Sequence, residues 1–179
     1  MPPLTALHRE IAACTNCELC RTRTHAVPGT GSATARVFFI GEAPGRKEDA
    51  TGLPFVGAAG KGLDGLLAGI GLTRAEVFIT SILKCRPPAN RDPSPEETAA
   101  CLPHLARQVA IIRPRLIVTL GRHALALFRT GMTIGEIHGR PFADNDYTIL
   151  PLYHPAAAIY NRKLRPTLEA DFTKILDFL

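Results

Sequence analysis

Apolar positions along this chain follow two alternating patterns. Short, nearly unbroken runs occur at Arg36–Gly41 (RVFFIG), Val77–Leu83 (VFITSIL), Leu116–Leu120 (LIVTL) and Tyr147–Leu152. Runs of that length, rich in β-branched and aromatic residues, predict strands buried on both faces. Between them the apolar residues are spaced as on helices: Leu4–Ala13, Gly60–Ile70 with Leu63, Leu66, Leu67 and Ile70 on one face, Ser94–Ile112, and Leu164–Leu179, with a shorter helix over Gly121–Phe128. Ser94-Pro-Glu-Glu is a helix start, and Pro114 is a stop. GEAPGRKEDATGLPFVGAAG and the proline-rich KCRPPANRDPSP are expected to be loops.

Strands alternating with helices predict an α/β fold, a parallel sheet covered on both faces. In such sheets the ligand crevice lies beyond the carboxyl ends of the strands. The segments leaving the four strands are GEAPG, SILKCRPP, GRHA and YHPAAA. These are the most chemically marked stretches in the chain, and the rule puts all four on one rim.

Composition narrows the class. With 179 residues and 46% hydrophobic content, residues 1–179 are expected to form one domain, able to bury about 70% of the unfolded chain's surface without staples. The apolar runs are far shorter than the roughly 20 residues of a membrane span. MPPLTALHRE has neither a basic nor an apolar leader region, so a cytoplasmic protein is expected; a monomer is expected as well. The net charge of +5 leaves nucleic-acid binding and an ordinary solvated surface equally open. Many of the basic residues, among them Arg46, Lys47, Lys84, Arg86, Arg91, Arg162, Lys163 and Arg165, fall in segments read as loops, within reach of a phosphate backbone. Eleven aromatic residues, eight Phe and three Tyr, argue against a long stacking platform.

Five cysteines in a chain without a leader do not suggest disulfides. Cys14, Cys17 and Cys20 form C-x2-C-x2-C, while Cys85 and Cys101 stand alone with 15 residues between them. Zinc usually takes two short knuckles, and the second half of this set is not one. The bacterial ferredoxin run would need a cysteine at Thr24. What remains is a four-cysteine iron–sulfur site, with Cys14, Cys17, Cys85 and Cys101 as the preferred set and Cys20 as the spare. Such a site would clip the N-terminal segment to mid-chain.

The rim motifs are not phosphate loops, since neither glycine-rich nucleotide signature is present. Gly41-Glu42-Ala43-Pro44-Gly45 brings a carboxylate and close-approach glycines to the rim. His154, just before Pro155, can donate a hydrogen bond to charge developing on a leaving group. His8, His25, His104, His123 and His138 have no such context; His104 and His123 are expected on helix surfaces.

Taken together, GEAPGRKEDATGLPFVGAAG, TSILKCRPPANRDPSPEE, LGRHA and YHPAAAIYNRKLRP resemble the uracil-DNA glycosylase superfamily, specifically its family 4, the iron–sulfur thermostable type. The resemblance runs from Cys14 to the C-terminal helix. It implies a three-layer α/β/α sandwich around a four-stranded parallel sheet, and a [4Fe-4S] cluster on Cys14, Cys17, Cys85 and Cys101. The activity it implies is base-excision repair: uracil flipped out of DNA, the N-glycosidic bond hydrolysed, an abasic site left. Phe55 would stack on the base. Gly41, Glu42, Ala43, Pro44 and Gly45 would hold it and orient the attacking water. Glu48 would stand against C5, where a thymine methyl would clash, and His154 would hydrogen-bond O2. Ile159–Arg165 would enter the duplex with Leu164 as plug, and Arg86, Arg91, Arg162, Lys163 and Arg165 would contact DNA. Reading one extruded base needs only one stacking ring, which fits the aromatic scarcity.

Ser81 departs from the pattern, because family 4 usually has Asn there. An amide matches uracil O4 and N3–H with a donor and an acceptor in one fork, and a hydroxyl cannot. Weaker uracil discrimination is expected, with tolerance of other deaminated bases. The alternative function is an iron–sulfur nucleic-acid-binding protein with weak or altered base specificity. The related variant that traps DNA covalently has a basic insertion ending in histidine after the second strand; Arg86–Asp92 has none, so no trapping is expected.

Overall fold

The computed structural model describes residues 3–179; Met1 and Pro2, at the head of the stretch read above for a leader, lie outside the described residues. In chain order the elements are α1 (Pro3–Ala13), β1 (Thr30–Gly31), β2 (Val37–Gly41), α2 (Arg46–Thr51), α3 (Ala58–Gly69), β3 (Phe78–Ser81), α4 (Pro95–Ile112), β4 (Leu116–Leu120), α5 (Arg122–Ala126), α6 (Ile134–Ile137), β5 (Phe142–Asp144), β6 (Tyr147–Leu152), α7 (Pro155–Tyr160) and α8 (Arg165–Thr173), with short 3-10 turns between and after them.

The strand order is β1-β3-β2-β4-β6-β5. The four predicted strands form the parallel centre β3-β2-β4-β6. Two antiparallel edge strands, β1 and β5, extend the expected four-stranded sheet to six. At two and three residues they carry no apolar run for a sequence pattern to register.

The central strands are apolar throughout because each face of the sheet is covered, and alternate residues point to opposite faces. Phe38 and Ile40 of β2 pack with Phe78, Ile117 and Ile149 against Leu4 of α1 and Leu105 and Ile112 of α4. Val37 and Phe39 pack with Ile79, Val118 and Leu150 against Leu63 and Leu67 of α3 and Leu168 and Phe172 of α8. Helix, sheet and helix make three layers. Each fully buried side chain of this size contributes roughly 1.5–3 kcal/mol.

Several boundaries differ from expectation. The second strand ends at Ser81, and Ile82 and Leu83 instead donate to the carbonyls of Gly41 and Glu42 at 2.9 and 3.1 Å. The stretch after GEAPG, expected as loop, contains a helix, α2, whose first turn is closed by Glu48 accepting from Gly45 N and whose end is turned by Gly52 at φ 73°. The C-terminal helix ends at Thr173 and continues as the 3-10 turn Lys174–Phe178. For α4 the start is as read: Ser94 Oγ accepts from Glu97 N, and the Glu97 carboxylate accepts from Ser94 N.

Candidate active site

The parallel register places Gly41 beside Ser81 at the carboxyl ends of β2 and β3. Here a cavity of about 350 Å³ opens, lined by Glu42, Ala43, Pro44, Gly45, Glu48, Phe55, Ser81, Arg91 and His154 among others. That volume is at the lower end for small-molecule sites. Tertiary structure thus brings most of the expected rim residues onto one wall.

His154 caps α7, its Nδ1 accepting from Ala156 N at 3.2 Å. A neutral imidazole whose Nδ1 accepts must carry its proton on Nε2. Burial pushes the His154 pKa down to about 4, so the ring is neutral near pH 7. The site therefore holds a fixed neutral donor.

Phe55 is buried and stacks on His154, with ring centroids 5.6 Å apart. Its backbone is in the left-handed region at φ 52°, a strained conformation for a side chain of this size. Arg74 holds it there, donating to the carbonyls of Pro54 at 2.9 Å and of Phe55. The fit demands glycine at two neighbours. A Cβ on Gly41 would lie 2.6 Å from the Phe55 ring, and one on Gly60 would lie 1.7 Å from the Phe55 carbonyl oxygen.

The Glu48 carboxylate accepts from Gly45 N at 3.1 Å and from Val56 N and Gly57 N at 2.8 Å each. It ties the GEAPG segment to the Phe55 segment. A side chain so held has little freedom to move. Ser81 is buried, lines the cavity, and its hydroxyl makes no hydrogen bond among the described residues.

Burial raises the pKa of Glu42, with His123 opposing, Asp92 adding and Arg122 opposing. His123 Nε2 lies 3.6 Å from Glu42 Oε2 and 3.5 Å from Asp92 Oδ1, and Arg122 Nη2 donates to Asp92 Oδ2 at 2.7 Å. His123 was expected on a helix surface without a role; instead it faces the Glu42 carboxylate. The signal was present in GRHA, whose place after a central strand puts it on the rim.

The basic residues divide. Arg162 and Lys163 are exposed beyond α7, as are Arg46 and Lys47 on α2. Arg165 pairs with Glu169, Arg86 donates to Asn90 Oδ1, and Arg91 makes two bonds to Glu97 at 2.9 and 2.6 Å. Lys84, expected at a phosphate, is buried instead: Nζ donates to Thr80 Oγ1, the Ser81 carbonyl and Gln108 Oε1 at 2.6, 2.7 and 2.8 Å. Burial pushes its pKa down to about 7. Leu164, the expected plug, is half-buried, whereas Tyr160 at the end of α7 is 90% exposed.

On the other side of the segment after β3, all five cysteines line one small cavity with Arg23, Lys84 and His104. Arg23 Nη1 donates to Cys85 Sγ at 3.1 Å, and Lys84 N donates to Cys101 Sγ at 3.3 Å. Burial raises the Cys85 pKa, Arg23 opposes, and Cys17 and Cys14 raise it further. Burial likewise pushes Cys101 up to about 11, with Lys84 opposing and Cys85 and Cys17 adding. Cys85, Cys20 and Cys14 all act on the Arg23 guanidinium, so the five sulfurs share one neighbourhood. Four soft sulfur donors with hydrogen bonds already directed at two of them suit iron or another thiophilic metal. His104 is buried here rather than on a helix surface; burial and the charges of Lys84 and Arg107 lower its pKa, with Glu10 opposing.

Residues 28–179 match the family model described as Uracil DNA glycosylase superfamily. The chain is similar to the type-4 uracil-DNA glycosylase of Archaeoglobus fulgidus, with 47% identity over 98% of this chain and 92% of that protein. It is 46% identical to the type-4 enzyme of Saccharolobus solfataricus over 100% and 88% of the two chains, and 41% identical to that of Thermotoga maritima over 94% and 91%. Among the described residues no helix is long and apolar enough to cross a membrane. With a family match covering most of the chain and relatives aligned nearly end to end, the chain belongs to the uracil-DNA glycosylase superfamily.

Proposed function

We propose that this protein is a monofunctional glycosylase that excises uracil from DNA by hydrolysing the N-glycosidic bond. The observation that carries this reading is the pairing, around one base-sized cavity, of a neutral His154 whose Nε2 bears the proton with the carboxylate of Glu42. A target nucleotide reaches such a cavity only by leaving the stack. Phe55 then receives the base, Glu48 bars a C5 methyl, and His154 donates to O2 as negative charge develops on the departing uracil. Glu42, its basicity raised by burial and its position tied to His123, orients the water that attacks the sugar. Ala43, Pro44 and Gly45 form the wall between them, with Gly41 close against the Phe55 ring.

In the same reading, Cys14, Cys17, Cys85 and Cys101 hold a [4Fe-4S] cluster. Its part is structural: when bound, iron–thiolate bonds join the segment after α1 to the segment after β3. The fit rests on the convergent sulfurs and their directed N–H donors. A binding protein without glycosylase activity is not favoured, since the donor, the carboxylate and the stacking ring are all in place and the relatives are named glycosylases.

The test is incubation with single- and double-stranded oligonucleotides carrying uracil, hypoxanthine or xanthine, followed by alkaline cleavage of abasic sites. Strand breaks at uracil are expected; DNA binding with no cleavage on any substrate would refute the reading. Ser81 supplies a sharper result. In Ser81→Asn, uracil excision should rise about tenfold and the base range narrow, because the amide adds a matched contact of about 1–3 kcal/mol that the hydroxyl lacks. Unchanged rate and preference would remove Ser81 from base recognition.

The exposed Tyr160, with Ile159 beside it at 48% exposure, is placed to fill the gap left by the flipped base better than the half-buried Leu164. Tyr160→Ala should slow excision from duplex DNA about tenfold, the scale of one lost base–aromatic contact, and leave single-stranded substrate nearly unaffected. Leu164→Ala should do less. Equal losses on both substrates would show that Tyr160 is not the wedge. Arg162 and Lys163 would contact phosphates on either side.

A further inference from the structure

Both ring nitrogens of His104 are buried and, among the described residues, have no hydrogen-bond partner. The ring is only 9% exposed and lines the cavity where the five cysteines converge. It sits three residues after Cys101 on α4, so the two side chains share one face of the helix. A neutral imidazole always carries one N–H, and buried donors are paired in the great majority of native structures. Among the described residues no backbone carbonyl or side chain meets this one.

Two other donors at this cavity are already directed at sulfur, Arg23 at Cys85 and the Lys84 N–H at Cys101. We propose that His104 is a positioning residue for the iron–sulfur group, its ring N–H donating to a sulfur of that group and favouring its more electron-rich state. This rests on the iron–sulfur reading above. A hydrogen bond to a cluster sulfur stabilises the state with more negative charge and so raises the reduction potential. Arg23 acts in the same direction on Cys85; His104 would complete the donor set from the α4 side.

The experiment uses the cluster-loaded, full-length protein. In His104→Leu the ratio of reduced to oxidised cluster at a fixed applied potential should fall about tenfold, the weight of one hydrogen bond to a charged acceptor. His104→Asn, which keeps an N–H, should restore most of it. The wild-type protein labelled with 15N-histidine should show, by pulsed electron paramagnetic resonance on the paramagnetic cluster, a coupling to one histidine nitrogen and to one proton exchangeable in D2O. That measurement needs no variant, so it stands even if His104→Leu fails to fold. Iron-containing protein with no such couplings, or with an unchanged ratio in His104→Leu, overturns the role of His104 alone. Colourless, iron-free protein overturns the iron–sulfur reading and this inference together.

Discussion

His154→Ala is expected to slow uracil release by about 100- to 1,000-fold, the usual loss when one donor to a developing anion is removed, while DNA binding persists. A fixed neutral donor accounts for an effect of that size from one side chain. The Ala156 N–H occupies Nδ1, and burial keeps the ring uncharged, so in the proposed reading an Nε2–H is ready to donate to uracil O2 before the base arrives. Glu42→Ala should lower the rate by a comparable factor through the water rather than the leaving group. Full activity in both variants would refute the assignment.

The same histidine has a consequence for stability. Its pKa is near 4 in the folded protein against the ordinary 6.5, so as the pH falls through that interval the unfolded chain takes up a proton that the folded chain does not. The stabilisation is present above pH 6.5 and is lost toward pH 4. Melting temperature should therefore fall over this window, less so in His154→Phe, and nuclear magnetic resonance should show an Nε2–H tautomer at pH 7.

Cys85→Ala should have the largest effect on the fold. Linking Cys17 to Cys85 through a metal group closes a loop of nearly 70 residues; by the loop-entropy relation for covalent cross-links this is worth about 4 kcal/mol, or roughly 8–16 °C in melting temperature for a domain of this size. The segment between them includes Arg23, which joins Cys85 Sγ to the Ala12 carbonyl at the end of α1. Cys85→Ala and Cys101→Ala should both be colourless and less stable, whereas Cys20→Ala should keep colour and stability. Loss of the cluster in Cys20→Ala, with retention in one of the other four, would overturn the choice of ligands.

Much of this was legible in local pattern. The four central strands read directly because each is buried on both faces and so is apolar at every position. Ser94 and Glu97 marked the start of α4 because capping is a contact across three residues. The edge strands β1 and β5 did not read, since so few residues, paired on one side, leave no periodicity. Lys84 misread for a related reason. Its charge suggested solvent, but three acceptors from β3 and α4 receive the ammonium inside the protein, and nothing within a few residues of Lys84 announces Gln108. His104 was equally opaque, because the cavity that defines its surroundings is supplied by other elements.

The chain alone determined the α/β class, the rim on which GEAPG, SILKCRPP, GRHA and YHPAAA meet, and the cysteines competent for a metal group. These follow from residue type and short-range spacing, which the backbone translates into structure locally. Only the tertiary structure decided that His154 is held neutral with its proton on Nε2, that Glu48 is a braced wall, that Glu42 answers to His123, and that Tyr160 rather than Leu164 stands free. Each of these depends on which groups are brought close and which are withdrawn from water. Charge, tautomer and exposure are properties of that surrounding, and the surrounding is assembled from parts of the chain far apart in sequence.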